Sequence, residues 1–353
     1  MVAAPPDYWR RGRPRIVFLC LVLLFMILVV SGCGRKAPTP AGSSLGSNAG
    51  DNVPGPGEKP RETRPLLYDR ELDRVLVYFL TRDGRYLVPV TVSFNPTREV
   101  AKVAMEKLLA GPQGDSLKPV FPEGVKLRDI YLLNDQQTVY VNLTREFLQI
   151  KDARQVDLAV KALVLTMTNL TGVKEVQILV EGSKVSEVAG VKLDAPLPRP
   201  GNVNSLLKDE GQKGVQVFFG DAEAQYLVPV TVPLPPGASE NNLPRAAVLA
   251  LLAGPPADSG LTRTIWPGTR LLDLKVEGNL ATVDFSRQVI GYGGGSAVET
   301  AFIKSLLFTL TQFAGLDRVQ ILIEGQKREY LPEGTPINKP LSRPEALNPL
   351  NHQ

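Results

Sequence analysis

A heptapeptide that occurs twice constrains this chain more than any other feature. Tyr86-Leu-Val-Pro-Val-Thr-Val92 returns unchanged at Tyr226 to Val232. Leu109-Ala-Gly-Pro112 returns at Leu252 to Pro255, and Val176-Gln-Ile-Leu-Val-Glu-Gly182 returns at Val319 to Gly325 with isoleucine in place of Val180. The offset grows from 140 to 143, so the second copy carries three extra residues between Val232 and the next helix. A period of roughly 130–140 residues is far longer than a solenoid repeat of ~20–50. It marks a duplicated domain, two of which account for most of a 353-residue chain.

Formal net charge is +4, but Arg10, Arg11, Arg13, Arg15 and Asp7 all precede residue 33. Removing them leaves 36 basic against 35 acidic residues. The body of the chain therefore lacks the field that draws nucleic acid. The cysteines, Cys20 and Cys33, lie in or beside the N-terminal apolar run, and the one histidine is His352. Disulfide frameworks, His-dependent triads and Cys/His metal clusters are thus excluded from the repeats, and the sequence calls for no cofactor.

Residues 1–15 are basic, Ile16 to Val30 is apolar, and Ser31-Gly32-Cys33 follows. That is the layout of a secretory signal. Val30-Ser31-Gly32-Cys33 resembles the bacterial lipobox. The resemblance implies cleavage before Cys33 and a diacylglycerol on its thiol, each buried CH₂ of the acyl chains adding ~0.8 kcal/mol of membrane affinity. The rest of the chain would then lie outside the cytoplasm. Residues 33–71, rich in Gly, Pro, Ser and Thr, read as a disordered tether reaching roughly 30 Å.

The first domain is expected over residues 72–200, the second over 214–344, with a polar linker at 201–213 and a tail at 345–353. Val75 to Leu80 is apolar at every position, as in a strand covered on both faces. Arg82-Asp-Gly-Arg85 turns it into Tyr86–Val92, where Pro89, like Pro229 in the copy, demands an edge or a bulge. Val100, Val103, Ala104 and Leu108 form one face of a helix that stops at Gly111-Pro112; Leu243, Ala246, Ala247 and Leu251 match them. A second hairpin, a longer helix and a closing strand complete each unit. The longer helix buries Val160, Leu163, Val164 and Met167, or Ile303, Leu306, Leu307 and Leu310. Ser296 with Glu299 predicts a capping box on the second copy. The order ββαββαβ predicts an α+β fold: in each of two tandem homologous domains, a mixed or mainly antiparallel sheet with two helices on one face.

These motifs carry a family likeness. The Leu-Val-Pro hairpin, the helix ending Leu-Leu-Ala-Gly-Pro, the strand Val141-Asn-Leu143 or Val283-Asp-Phe-Ser286, and Val-Gln-Ile-Leu-Val-Glu-Gly resemble the GerMN domain, matched in order in both copies. The first copy departs at Asn142-Leu143-Thr144, where the second has Asp284-Phe285-Ser286. The resemblance implies a non-enzymatic lipoprotein of endospore formers, held on the outer face of the cytoplasmic membrane. During sporulation it would sit between mother-cell and forespore membranes and join protein partners in a transenvelope complex, with homo-oligomers as a further mode. The same domain also implies a second role, a lipoprotein accessory to a membrane histidine kinase.

Other candidate sites are weaker on their own residues. Glu181 and Glu324 belong to separate domains and read as strand-end turns. Asp284 beside Ser286 lacks a histidine base and reads as a strand-end hydrogen-bonding pair, although a carboxylate-only envelope hydrolase would use such acids. Gly291 to Gly295 lacks the Lys-Ser/Thr of a phosphate loop. Leu179 and Leu322 point opposite to Ile178 and Ile321, so either both sheet faces are covered or one docks a partner.

Overall fold

The computed structural model describes residues 63–133, 137–209, 211–237, 242–291 and 294–350. In the first unit the elements are β1 (Thr63–Pro65), β2 (Leu72–Thr81), β3 (Leu87–Thr97), α1 (Val100–Ala110), β4 (Leu127–Leu133), β5 (Thr138–Leu143), α2 (Ala153–Thr168) and β6 (Glu175–Val180). The second unit repeats them, without a counterpart of β1 among the described residues. It has β7 (Gly214–Gly220), β8 (Leu227–Pro233), α3 (Leu243–Ala253), β9 (Leu271–Glu277), β10 (Leu280–Phe285), α4 (Gly295–Leu310) and β11 (Arg318–Ile323). The α+β class and the tandem arrangement are those the sequence calls for.

The strands of each unit divide between two sheets, where one was expected. The hairpin β2–β3 stands apart from the mixed sheet β4-β5-β6, in which β5 and β6 run parallel on either side of the α2 crossover. The second unit repeats this with β7–β8 and with β9-β10-β11. Both helices of the first unit touch β2 on one side and the mixed sheet on the other. The reason lies in α2: Ala162 through Met167 are all buried, so its second half presents apolar surface all round and needs cover on both sides. Burying Leu163 and Met167 completely is worth roughly 1.5–3 kcal/mol each.

A structured turn closes each hairpin. In the first, the Thr81 hydroxyl accepts from the amides of Arg85 and Tyr86 at 3.2 and 3.1 Å and donates to Asp83 at 2.6 Å. Gly84 sits there at φ 76°. In the second, Asp221 stands in place of Thr81. One carboxylate oxygen accepts from Gln225 and Tyr226 at 2.7 and 2.9 Å; the other is buried without a hydrogen-bond partner. Desolvation is the largest cause that lifts the Asp221 carboxyl above its ordinary value, and the two amides oppose it.

The outer face of the closing strands is covered, as one of the two sequence alternatives held. Gln177 and Gln320, central in β6 and β11, are fully buried. Each donates to a carbonyl of the segment that folds back over the strand, Leu193 at 3.1 Å and Ile337 at 2.9 Å.

Two expectations are corrected. The capping box does not form, because Gly294 occupies the N-cap at φ 118°. The buried Glu299 carboxylate instead accepts from the amides of Glu333 and Thr335 at 2.7 and 3.3 Å. Tertiary hydrogen bonds from these loop amides outcompete a local cap. Leu243 is not part of a buried stripe: it is 36 % exposed, whereas its counterpart Val100 is fully buried. Among the described residues no helix is long and apolar enough to cross a membrane.

Candidate interaction site: the seam between the units

The strands bearing Pro89 and Pro229 are edges of their own sheets, as the prolines require. Each edge is covered by the segment that follows the other unit. After the first unit, the chain runs alongside β8. The Thr231 amide donates to the Asn204 carbonyl and the Leu206 amide to the Thr231 carbonyl, both at 2.8 Å, and Ser205 pairs with Thr231 in parallel. After the second unit, the chain runs alongside β3. The Thr91 amide donates to the Leu347 carbonyl at 2.9 Å, the Leu350 amide to the Thr91 carbonyl at 3.1 Å, and Leu350 pairs with Val92 in parallel. The two strands are thus exchanged reciprocally, as in an isologous dimer interface written into one chain.

Two asparagines lock the exchange. Asn204 accepts from the Leu87 amide at 2.8 Å and donates at 2.8 Å to the carbonyls of Leu87 and Pro229. Asn348 accepts from the Leu227 amide at 2.8 Å and donates at 2.8 Å to the carbonyls of Leu227 and Pro89. Each side chain therefore bridges both units. A backbone group on an edge beside proline has few other partners, and only an amide side chain offers donor and acceptor together. The tyrosines opening the repeated heptapeptide add a second reciprocal pair. Tyr86 donates to the Ser259 carbonyl at 2.8 Å, and Tyr226 is hydrogen-bonded with Ser116. Burial is the largest cause that raises both phenols above their ordinary value.

Beside this seam lies a cleft of about 310 Å³ lined by matching residues from both units: Tyr78 and Phe218, Arg199 and Arg343, Asn169 and Gln312. Arg343 stacks over Phe308 at 4.6 Å, and burial draws it below the ordinary arginine value. The cleft is built for packing and polar contact. Among the described residues, no nucleophile–base pair lines it.

Cys33, the predicted lipidation site, lies outside the described residues. Glu181 and Glu324 each serve a turn of their own unit at positive φ, 51° and 53°. Glu181 accepts from the Arg145 amide at 3.0 Å and pairs with Arg128; Glu324 accepts from the Arg287 amide at 2.7 Å. Asp284 accepts from the Gly325 amide at 2.9 Å, and Asn142 does the same from Gly182 at 2.9 Å. Ser286 and Thr144 accept from Arg270 and Lys126 at 2.9 and 3.1 Å. The departure of the first copy from Asp-Phe-Ser is therefore conservative, since an amide oxygen and a threonine hydroxyl accept the same bonds. Gly291, at φ 66°, lies where any Cβ would strike the Trp266 indole. The gap between Trp266 and α4 is about 10 Å³, too small for a phosphate.

Sequence reading passed over Asn204 and Asn348, which fall in the stretches taken as linker and tail. A signal was present. Arg199-Pro200 and Arg343-Pro344 stand 144 residues apart, as do Asn204 and Asn348 and the Leu206 and Leu350 that follow. The repeat continues past the closing strand.

The family model of Germane, described as sporulation and spore germination, matches residues 76–186 and 216–329. Bacillus subtilis spore germination protein GerM is 23 % identical over 294 residues, 77 % of each chain. The solved tandem GerMN domains of the B. subtilis sporulation protein GerM superpose with a TM-score of 0.62 at 22 % identity, over 78 % of this chain and all of that one.

Proposed function

This chain belongs to the Germane family of sporulation and spore germination, and we propose that it is a membrane-anchored extracytoplasmic scaffold. Two docking modules, made one body by strand exchange, are tethered through a lipid on Cys33 and help assemble a complex between mother-cell and forespore membranes. The observation that carries this reading is the seam. The proline-bearing edge of each unit is closed by the segment that follows the other unit, which gives the two units a defined relative placement. A fixed pair suits a structural part that must hold other proteins at set positions. The side chains weighed as acids, Glu181, Glu324 and Asp284, are committed to turn amides, which supports a role without catalysis.

The test is genetic and chemical together. Deleting the gene is expected to block spore formation or germination, and cross-linking during sporulation is expected to recover envelope proteins with the chain. Normal spores with normal germination after deletion would falsify the reading. Recovery of a histidine kinase alone, in vegetative cells, would replace it with the sensory role.

A further inference from the structure

The two units differ at one edge. In the first, β1 lies antiparallel on β4, with Arg64 opposite Leu132 and Pro65 opposite Tyr131. In the second, β9 is the last strand of its sheet among the described residues. The exposed apolar side chains follow this difference. Leu243, Leu272 and Val276 are 36, 41 and 46 % exposed. The counterpart of Leu243, Val100, is fully buried, and that of Val276, Leu132, packs against the core; Leu272 stands where the first unit has Arg128. The register shifts between Leu271 and Asp273, and the stretch from Asp273 to Glu277 is regular and free of proline, an edge that proteins ordinarily guard.

The sequence of that edge, Leu271-Leu-Asp-Leu-Lys-Val-Glu277, fits itself. A two-residue turn joins Glu277 to Leu280, so alternation directs the backbone groups of Leu274 and Val276 away from β10 and outward. We propose that two copies of this chain pair antiparallel along β9, about a two-fold axis at Leu274, joining their mixed sheets into one. In that register Asp273 of each copy faces Lys275 of the other. Asp273 and Lys275 are now paired only within their own strand, at 3.4 Å, with half or more of each side chain in solvent. Sliding by two residues either way sets Asp273 against Asp273, or Lys275 against Lys275 with Asp273 against Glu277. Charge therefore selects one register, and the occupant it selects is a second copy. The inference is independent of the scaffold's role in sporulation.

The test uses the full chain in detergent micelles, with mass read by sedimentation equilibrium. Asp273→Lys and Lys275→Glu each oppose like charges at two symmetric positions, and each is expected to weaken the dimer about tenfold. The double variant Asp273→Lys/Lys275→Glu is expected to restore it. Both side chains are exposed, so unchanged unfolding curves are expected to show an intact fold. Co-expressed copies bearing Asp273→Cys and Lys275→Cys are expected to form a disulfide with each other, because facing residues at such a pair stand about 4.5 Å apart between Cα atoms. A chain that sediments as a monomer overturns the proposal. So does a dimer indifferent to the charge reversals, or cysteine cross-links made only to other proteins.

Discussion

At the scale of residues, buried amides and the buried carboxylates of Asp221 and Glu299 govern the molecule. Asn204→Ala removes three hydrogen bonds and strands backbone groups on both units, at an expected cost of about 2–3 kcal/mol. Asn348→Ala is expected to cost a similar amount. Because each asparagine holds the same seam, the double variant should cost less than the sum in denaturant titration; strict additivity would show that the two contacts act separately. Asp221 makes the opposite kind of prediction. Its folded pKa is raised above its ordinary value of 3.8, so the folded state binds more protons than the unfolded one. The stability it contributes is complete below that ordinary value and is lost as pH rises through the folded pKa. Asp221→Asn keeps an acceptor for Gln225 and Tyr226, as neutral Thr81 does for the first turn. It should raise the melting temperature near pH 7 and flatten its fall as pH rises above that ordinary value. An unchanged slope would show that Asp221 titrates as in the unfolded chain.

At the scale of elements, the exchanged strands are the joint. Residues 345–350 cover β3 through Thr91 and bring Asn348 to Leu227 and Pro89. A chain ending at Pro344 loses these bonds, about 4 kcal/mol or more at ~1 kcal/mol each. The first unit's edge becomes open, and calorimetry should resolve two transitions where the whole chain gives one. A single transition at the original temperature would mean that packing in the cleft alone joins the units. The elements also show where sequence reading succeeds. The apolar stripes of α2 and α4 and the proline-bearing edges follow from periodicity and residue type alone. Glu299 shows where it does not: its spacing from Ser296 fits a local cap, but the amides of Glu333 and Thr335 claim the carboxylate.

At the scale of the whole molecule, the body formed by the two units is expected to be held at the membrane by its N-terminal cysteine. Cys33→Ala should move the protein from the membrane to the soluble fraction once the leader is cleaved, while its circular dichroism and melting temperature stay unchanged. Retention at the membrane with the same strength would show that the anchor lies elsewhere. Sporulation should fail in this variant as in the deletion if anchoring is part of the role.

The amino-acid sequence by itself determined the duplication, the order of strands and helices, and the place of the two proline-bearing strands at an edge or a bulge. Those properties reside in short segments: repeated words, the 3.6- and 2-residue periods, and a proline that has no amide to donate. Tertiary structure alone decided which segment covers which edge. The donors and acceptors along an edge strand are the same at every residue, so they carry no address. Asn204 reaches Leu87 across 117 residues because chain closure brings them together, and nothing local to either one records the other.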